Sequence, residues 1–246
     1  MTASKEESSK IVVFDALATE PCVYTITFDY KTLGQLQADF IGKKLNGKGN
    51  VLEVRGMAGN AVDEEIHQAV IAGLAKFPGI KVVGSVRGNW TQTIAQKEVG
   101  GVLPTLPEID AVATQGGDGW GVYQAFKSAG RPAPTIVMGN RQDELKLWDD
   151  LTAQPGGYDT FSVSSAPGIA SVAFWVAQQV LAGKHAPNEM IMPLLTIEGK
   201  DLKAWLASTP QGGVATPVYS QQYAVDLIDA NAAGRPVPPP VPPSGG

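Results

Sequence analysis

Four short stretches concentrate the amide, carboxylate and indole side chains of this 246-residue sequence. They are Arg55-Gly56-Met57-Ala58-Gly59-Asn60, Ser85-Val86-Arg87-Gly88-Asn89-Trp90, Gln115-Gly116-Gly117-Asp118-Gly119-Trp120-Gly121 and Gly139-Asn140-Arg141-Gln142-Asp143. Amides and carboxylates exchange hydrogen bonds with hydroxyl groups, and an indole stacks on the C–H face of a sugar ring. Together they suit a small polyol. Asn60, Trp90, Gln115, Asp118 and Asn140 are therefore the candidate ligand-binding residues. Structural roles compete for the same side chains: Asn60 and Asn140 fit helix caps, Trp90 a core plug, and Asp118 a carboxylate in the first turn of a helix.

Other chemistry is poorly served. Gly116–Gly121 reads G-G-D-G-W-G, which fits neither the dinucleotide fingerprint nor the P-loop. Gly47-Lys48-Gly49 precedes a strand instead of following one, so it is a turn. There is no G-x-S-x-G elbow, and neither His67 nor His185 has the partners of a catalytic base. Glu64-Glu65 and Asp149-Asp150 read as solvated helix charge. One Cys and two His exclude a disulfide framework and a His/Cys zinc site. No cofactor or metal is expected, and the chain is not read as an enzyme; a Rossmann-type enzyme using Gly116–Gly121 for phosphate is the lesser alternative.

Composition narrows the class further. With 19 basic and 24 acidic residues the formal net charge is −5, and no Lys/Arg cluster offers a nucleic-acid surface. Hydrophobic residues at 43% and charged residues at 17% are ordinary for a globular chain. No stretch approaches the roughly 18 continuous apolar residues of a membrane span.

The elements that must position the four stretches alternate with little wasted sequence. Lys10–Leu17 and Cys22–Asp29 are β-rich runs separated by Ala18-Thr19-Glu20-Pro21. Leu33, Leu36, Phe40 and Ile41 recur at helical spacing, and Asn46-Gly47 closes that helix. The strand Val51–Val54 precedes a helix carrying Val62, Ile66, Ala69, Val70 and Gly73. Ile80–Val83 precedes a helix through Ile94, Ala95, Val99 and Val102. Ile109–Thr114, Thr135–Met138 and Asp159–Val163 are further strands, with helices through Val122–Phe126 and Leu145–Trp148 between them. Short apolar strands alternating with helices predict an α/β fold: a three-layer αβα sandwich around a mostly parallel sheet. Its ligand edge is the one at the carboxyl ends of the strands. A last amphipathic helix (Ile169, Val172, Ala173, Val176, Val180) ends at Gly183, and a strand over Met190–Ile197, interrupted by Pro193, is expected at an edge.

The ends differ from the body. Met1–Lys10 is polar and lacks the apolar region of a secretory signal. From Gly234 the chain holds six prolines in thirteen residues, which favours an extended, solvated polyproline-type tail with no assigned function.

In order and spacing these elements resemble the second half of a type I periplasmic sugar-binding protein, the ribose-binding-like class that serves ABC importers. The resemblance runs over roughly residues 10–198. It is carried by Ile11-Val12-Val13-Phe14-Asp15, Thr27-Phe28-Asp29-Tyr30, Gly47-Lys48-Gly49-Asn50, Phe77-Pro78-Gly79-Ile80, Asn89-Trp90, Leu106-Pro107-Glu108-Ile109-Asp110, Ala129-Gly130-Arg131-Pro132 and Leu181-Ala182-Gly183-Lys184. It implies two lobes holding a small sugar or polyol between them and a transporter permease as partner. It also implies periplasmic location, although the chain as given has no export signal and as it stands would stay in the cytoplasm. On this view residues 1–9 are a disordered N-terminus, 10–29 a remnant of the first lobe and hinge, 30–165 the ligand-binding lobe, 166–198 a helix and strand returning to the first lobe, and 199–246 a C-terminal extension with the Pro-rich tail. The chain is then a truncated member, most of the first lobe lying outside it.

At the binding positions, the resemblance puts Trp90 where an aromatic packs on the sugar ring and Asn140 near the polar residue after the fourth strand. Ile66 stands where an arginine is usual, and Gly116 where Asn or Asp is usual. The loss of an arginine fork removes directional hydroxyl bonds. The alternative is a stand-alone interaction or regulatory module on the same fold, self-associating through the 167–183 helix, whose apolar stripe would lack its normal sheet.

Overall fold

The computed structural model describes residues 10–16 and 23–243. The expected N-terminal disorder over 1–9, the Ala18–Pro21 turn and Cys22 lie outside the described residues. The chain divides into two compact units: one comprises residues 1–29, 165–194 and 216–246, the other residues 30–164 and 195–215.

The larger unit alternates α1 (Tyr30–Lys44), β3 (Lys48–Arg55), α2 (Ala61–Leu74), β4 (Gly79–Arg87), α3 (Gln92–Val102), β5 (Ala111–Ala113), α4 (Gly119–Ser128), β6 (Thr135–Ile136), α5 (Gln142–Thr152) and β7 (Ser162–Ser164). The sheet order is β4-β3-β5-β6 with every pairing parallel. A parallel bridge from Met138 to Ser162 attaches β7. Strand β9 (Leu195–Ile197) then pairs antiparallel with β7, and α7 (Leu202–Ser208) packs on α5.

Strand pleating explains the three layers. Leu52 and Val54 point to one face, where they are fully buried among Ala95 and Val99 of α3 and Val122, Ala125 and Phe126 of α4. Glu53, between them, points to the other face and meets His67 of α2, whose Nδ1 lies 2.7 Å from its Oε1; Ser85 Oγ donates to Oε2 at 2.9 Å. The predicted α/β sandwich is the fold observed.

Helices α1 and α2 approach through small residues. A Cβ added at Gly34 would lie 2.6 Å from the Ile66 carbonyl oxygen and 2.7 Å from the Ala69 Cβ, and one at Gly73 would lie 2.4 Å from the Ala38 Cβ. The Ile66 carbonyl is helix backbone and cannot step aside. Gly34→Ala is therefore expected to destabilise the chain by about 1–3 kcal/mol, as overpacking does, read as a lower urea midpoint at unchanged slope.

The smaller unit holds a parallel sheet of order β1-β2-β8, formed by β1 (Ile11–Phe14), β2 (Val23–Phe28) and β8 (Glu189–Met192), with α6 (Ile169–Leu181) and α8 (Gln221–Ala232) packed together. Three expectations need correction here. The strand foreseen over Met190–Ile197 is two strands in different units, because Pro193 has no N–H to continue a ladder. The extension after residue 198 contains two helices, α7 and α8. The apolar stripe of α6 is not left bare either: Ile169, Val172, Ala173, Val176 and Val180 are all buried, with α8 and β1 against the helix. Self-association through that stripe thus loses its physical basis. Asn231 of α8 clips the helix to the sheet edge, its Oδ1 accepting from the Ile191 N–H at 2.9 Å and its Nδ2 donating to the Ile191 carbonyl at 3.3 Å.

Candidate functional site

The carboxyl ends of β3, β4 and β5 meet at a buried polar knot centred on Asp63, in the first turn of α2. Arg55, the last residue of β3, donates from Nε (3.2 Å) and Nη2 (2.8 Å) to its two oxygens. Arg87, the last residue of β4, donates to Asp63 Oδ2 at 2.9 Å and to the Gly56 carbonyl at 3.0 Å, both from Nη1. The Gly56 N–H and the Gln115 amide add bonds to Oδ1, each 2.9 Å. Burial pushes the Asp63 carboxyl up, but the hydrogen bonds from Arg55 and Arg87 and the nearby positive charge hold it below the usual carboxylate range. Nε and Nη2 of Arg87 have no hydrogen-bond partner among the described residues, and the side chain keeps 38% of its exposure.

Trp90 closes over this knot. Asn89 and Trp90 both have φ of 53°, two consecutive non-glycine residues in the left-handed region. Each such residue costs on the order of 1 kcal/mol. The turn aims the half-buried indole at Gly56, where an added Cβ would lie 2.2 Å from Cζ2 and 2.7 Å from the Gln115 amide oxygen. Only glycine leaves room for the ring there.

Beside it sits an acidic pocket. Asp118 begins α4 but makes no capping bond, and it is fully buried under Gly88, whose absent Cβ would stand 3.0 Å from the carboxyl carbon. Neither of its oxygens has a hydrogen-bond partner. Burial, reinforced by the neighbouring Glu144, pushes its pKa up to about 8, against the opposing influence of the Thr91 N–H and Arg141. Glu144, in the first turn of α5, is also fully buried; its Oε1 accepts from the Gly119 N–H at 2.6 Å and the Gly139 N–H at 3.2 Å. Burial outweighs those two donors and raises its pKa to about 7.

Of the five residues singled out in the sequence, the structure gathers Trp90, Gln115 and Asp118. Gln115 is spent on the knot, with Oε1 accepting from the Gly56 N–H at 3.0 Å and Nε2 donating to Asp63. Asn60 is the N-cap of α2, exposed, its Oδ1 accepting from the Val62 N–H at 2.8 Å. Asn140 is buried and faces the 213–215 segment, donating from Nδ2 to the Ala215 carbonyl at 3.1 Å while its own carbonyl accepts the Ala215 N–H at 2.8 Å. Two polar residues not singled out are half-buried here: Asn89, and Arg141, whose Nε lies 3.3 Å from the Cβ position of Gly117. Ile66 is buried in α2, while Arg87 brings a guanidinium to the end of β4. Among the described residues, no group of three or more His, Cys, Asp or Glu is placed to hold a metal ion.

Comparison with known proteins adds a family context. The profile of a family described as the periplasmic binding protein domain matches residues 1–185. The chain is 25% identical over 197 residues to the xylitol-binding protein of Mycolicibacterium smegmatis, covering 78% of this chain and 55% of that protein. It is 31% identical over 116 residues to the D-allose-binding periplasmic protein of Escherichia coli, covering 46% of this chain and 37% of that protein. The chain thus spans about half, or less, of the length of these curated relatives. The crystal structure of an ABC transporter solute-binding protein from Thermobispora bispora superposes with a TM-score of 0.90 at 32% identity, covering 99% of this chain and 74% of that one.

Proposed function

The chain belongs to the periplasmic binding protein family, and from that premise we propose that it is the solute-binding component of an ABC-type import system, holding a small sugar or polyol at the carboxyl ends of β3, β4 and β5. The xylitol and D-allose named for its relatives support that ligand class. The transporter permease and a periplasmic setting belong to the same reading. No reaction is assigned.

The observation that carries the proposal is the strained Asn89–Trp90 turn. It brings the indole onto Gly56, whose carbonyl accepts from Arg87 Nη1 at 3.0 Å, and the outer nitrogens of that guanidinium lack partners among the described residues. Two consecutive left-handed residues persist where the surroundings over-determine them, and such strain collects at ligand sites. Indole supplies the apolar face for the C–H side of the ligand, and the guanidinium supplies a rigid pair of donors for vicinal hydroxyls.

Intrinsic fluorescence tests this directly. Trp148 and Trp205 are buried in the larger unit, whereas Trp90 and Trp120 are half-buried. Titration with pentoses, hexoses and their polyols is expected to give a saturable shift for at least one of them. Trp90→Ala is expected to weaken that ligand by about tenfold or more, equivalent to ~1.4 kcal/mol, while Trp90→Phe retains most of the affinity. A flat response across the panel, from protein folded by circular dichroism, overturns the proposal.

A further inference from the structure

Arg55 and Arg87 close neighbouring strands but complete their hydrogen bonding differently. Arg55 turns its Nε–Nη2 edge to Asp63 and clasps both carboxylate oxygens, at 3.2 and 2.8 Å. Arg87 spends Nη1 alone, on the Gly56 carbonyl and on Asp63 Oδ2. Its own Nε–Nη2 edge has no hydrogen-bond partner among the described residues, and its side chain is 38% exposed against 12% for Arg55. One carboxylate therefore serves two guanidinium groups, while Glu64 pairs with Arg55. Arg87 is left with a charge that is only partly balanced. It is also left with the edge that matches a planar, two-oxygen acceptor, as Arg55 demonstrates on Asp63.

A second guanidinium borders the same turn. Arg141, between β6 and α5, is half-buried, and its side chain makes no hydrogen bond or ion pair among the described residues. A Cβ added at Gly117 would lie 3.3 Å from Arg141 Nε and 3.8 Å from the Trp90 carbonyl oxygen, so glycine there lets the arginine approach the Trp90 backbone. The acids nearby do not pair with it. Asp143 accepts from the Gln92 amide and from the Glu144 N–H, each at 2.9 Å. Burial holds Asp118 and Glu144 toward the protonated form, with pKa values of about 8 and about 7. Trp90 is thus flanked by Arg87 through Gly56 and by Arg141 through Gly117.

Neutral hydroxyls satisfy the donors of these two groups but not their charge. We infer that the preferred ligand is a sugar acid, a polyhydroxylated carboxylate, held by the Nε–Nη2 edge of Arg87 with Arg141 as the second cation and Trp90 against its C–H face. The inference rests on the solute-binding reading above and narrows its ligand class. An arginine–carboxylate pair is bidentate and charged on both sides, and a partly buried one is screened less than a pair in open solvent. The acid therefore outbinds the neutral compound of the same skeleton.

Calorimetric titration of the full chain compares xylitol with xylonate and D-glucose with D-glucuronate, with D-glucose 6-phosphate as a second kind of anion. In at least one pair the acid is expected to bind about tenfold tighter or more. That ratio is expected to fall several-fold as salt rises from about 0.02 M to about 0.5 M, because the ion pair is screened and the neutral contacts are not. Arg141→Gln removes a group that has no bond to lose within the fold, and it is expected to cut the ratio several-fold. Arg87→Lys keeps the charge but not the planar edge, and it is expected to cut the ratio as well. Neutral compounds that bind as tightly as their acids, or a ratio that both variants leave unchanged, overturn the inference while the solute-binding reading stands. Tighter binding of glucose 6-phosphate than of glucuronate overturns the carboxylate assignment in favour of a phosphate. Failure of every compound to bind overturns the solute-binding reading itself, and the inference falls with it.

Discussion

Asp63→Ala is expected to lower stability by about 3–5 kcal/mol, the loss found when one partner of a buried ion pair is removed and the other stays behind. The basis is the number of groups that depend on this carboxylate. Arg55, with 12% of its side chain exposed, would keep only the exposed Glu64 as an acidic partner. The Gln115 amide would lose its side-chain acceptor, and Arg87 would retain only the Gly56 carbonyl. Asp63→Asn keeps the shape and one acceptor oxygen but not the charge, so a smaller loss of about 1–3 kcal/mol is expected. Combining Asp63→Ala with Arg55→Met should recover part of the deficit, since the buried charge goes with its partner. Urea unfolding followed by circular dichroism measures all three. A loss below about 1 kcal/mol for Asp63→Ala would show that the knot behaves as a surface pair, and Trp90 would then need another support.

The knot also marks where sequence reading stops. The central strands of the larger unit were legible because they are short apolar runs buried on both faces, as Val51–Val54 is. The loops after them were legible because ligands of parallel sheets gather there, and Trp90, Gln115 and Asp118 do come together. Arg55 and Arg87 were passed over although each closes a strand, and the register pairs them with one another. Two guanidinium groups side by side require a carboxylate between them, but that requirement becomes visible only once β3 and β4 are known to be neighbours. Asn60 and Asn140 show the opposite limit: residue type marks a polar task, and contacts decide which one. Helix α8 was missed because its buried residues, Ala224, Leu227, Ile228 and Ala230, make a weak apolar stripe beside a proline-rich run that dominates the composition. Its signals were nonetheless present, with Ser220 bonding the Tyr223 N–H at 3.2 Å as N-cap and Gly234 closing the far end.

Asp118 and Glu144 should make the protein lose stability as the pH rises from about 5 to 8, the reverse of what a salt-bridged carboxylate does. Both are acids whose pKa is raised on folding, to about 8 and about 7. The folded state therefore holds more protons than the unfolded state between the ordinary carboxylate range and pH 8, and unfolding releases them. Stability is highest where both states are protonated and falls by about 1.4 kcal/mol per pH unit for each acid within its window. A total loss on the order of 6 kcal/mol between pH 5 and pH 8 is expected, the larger share from Asp118. Asp63 works in the opposite sense and in a separate window, its contribution being lost only as the pH drops through its depressed pKa. The chain should accordingly be most stable in mildly acidic solution. Asp118→Asn and Glu144→Gln each remove one titrating group, so each should flatten the profile, and the double variant should leave little slope between pH 5 and 8. Thermal unfolding at half-unit pH intervals distinguishes the outcomes. A profile that rises with pH in this window, or one that the substitutions leave unchanged, would mean that the two carboxyls are ionised in the folded protein and that burial does not set their protonation.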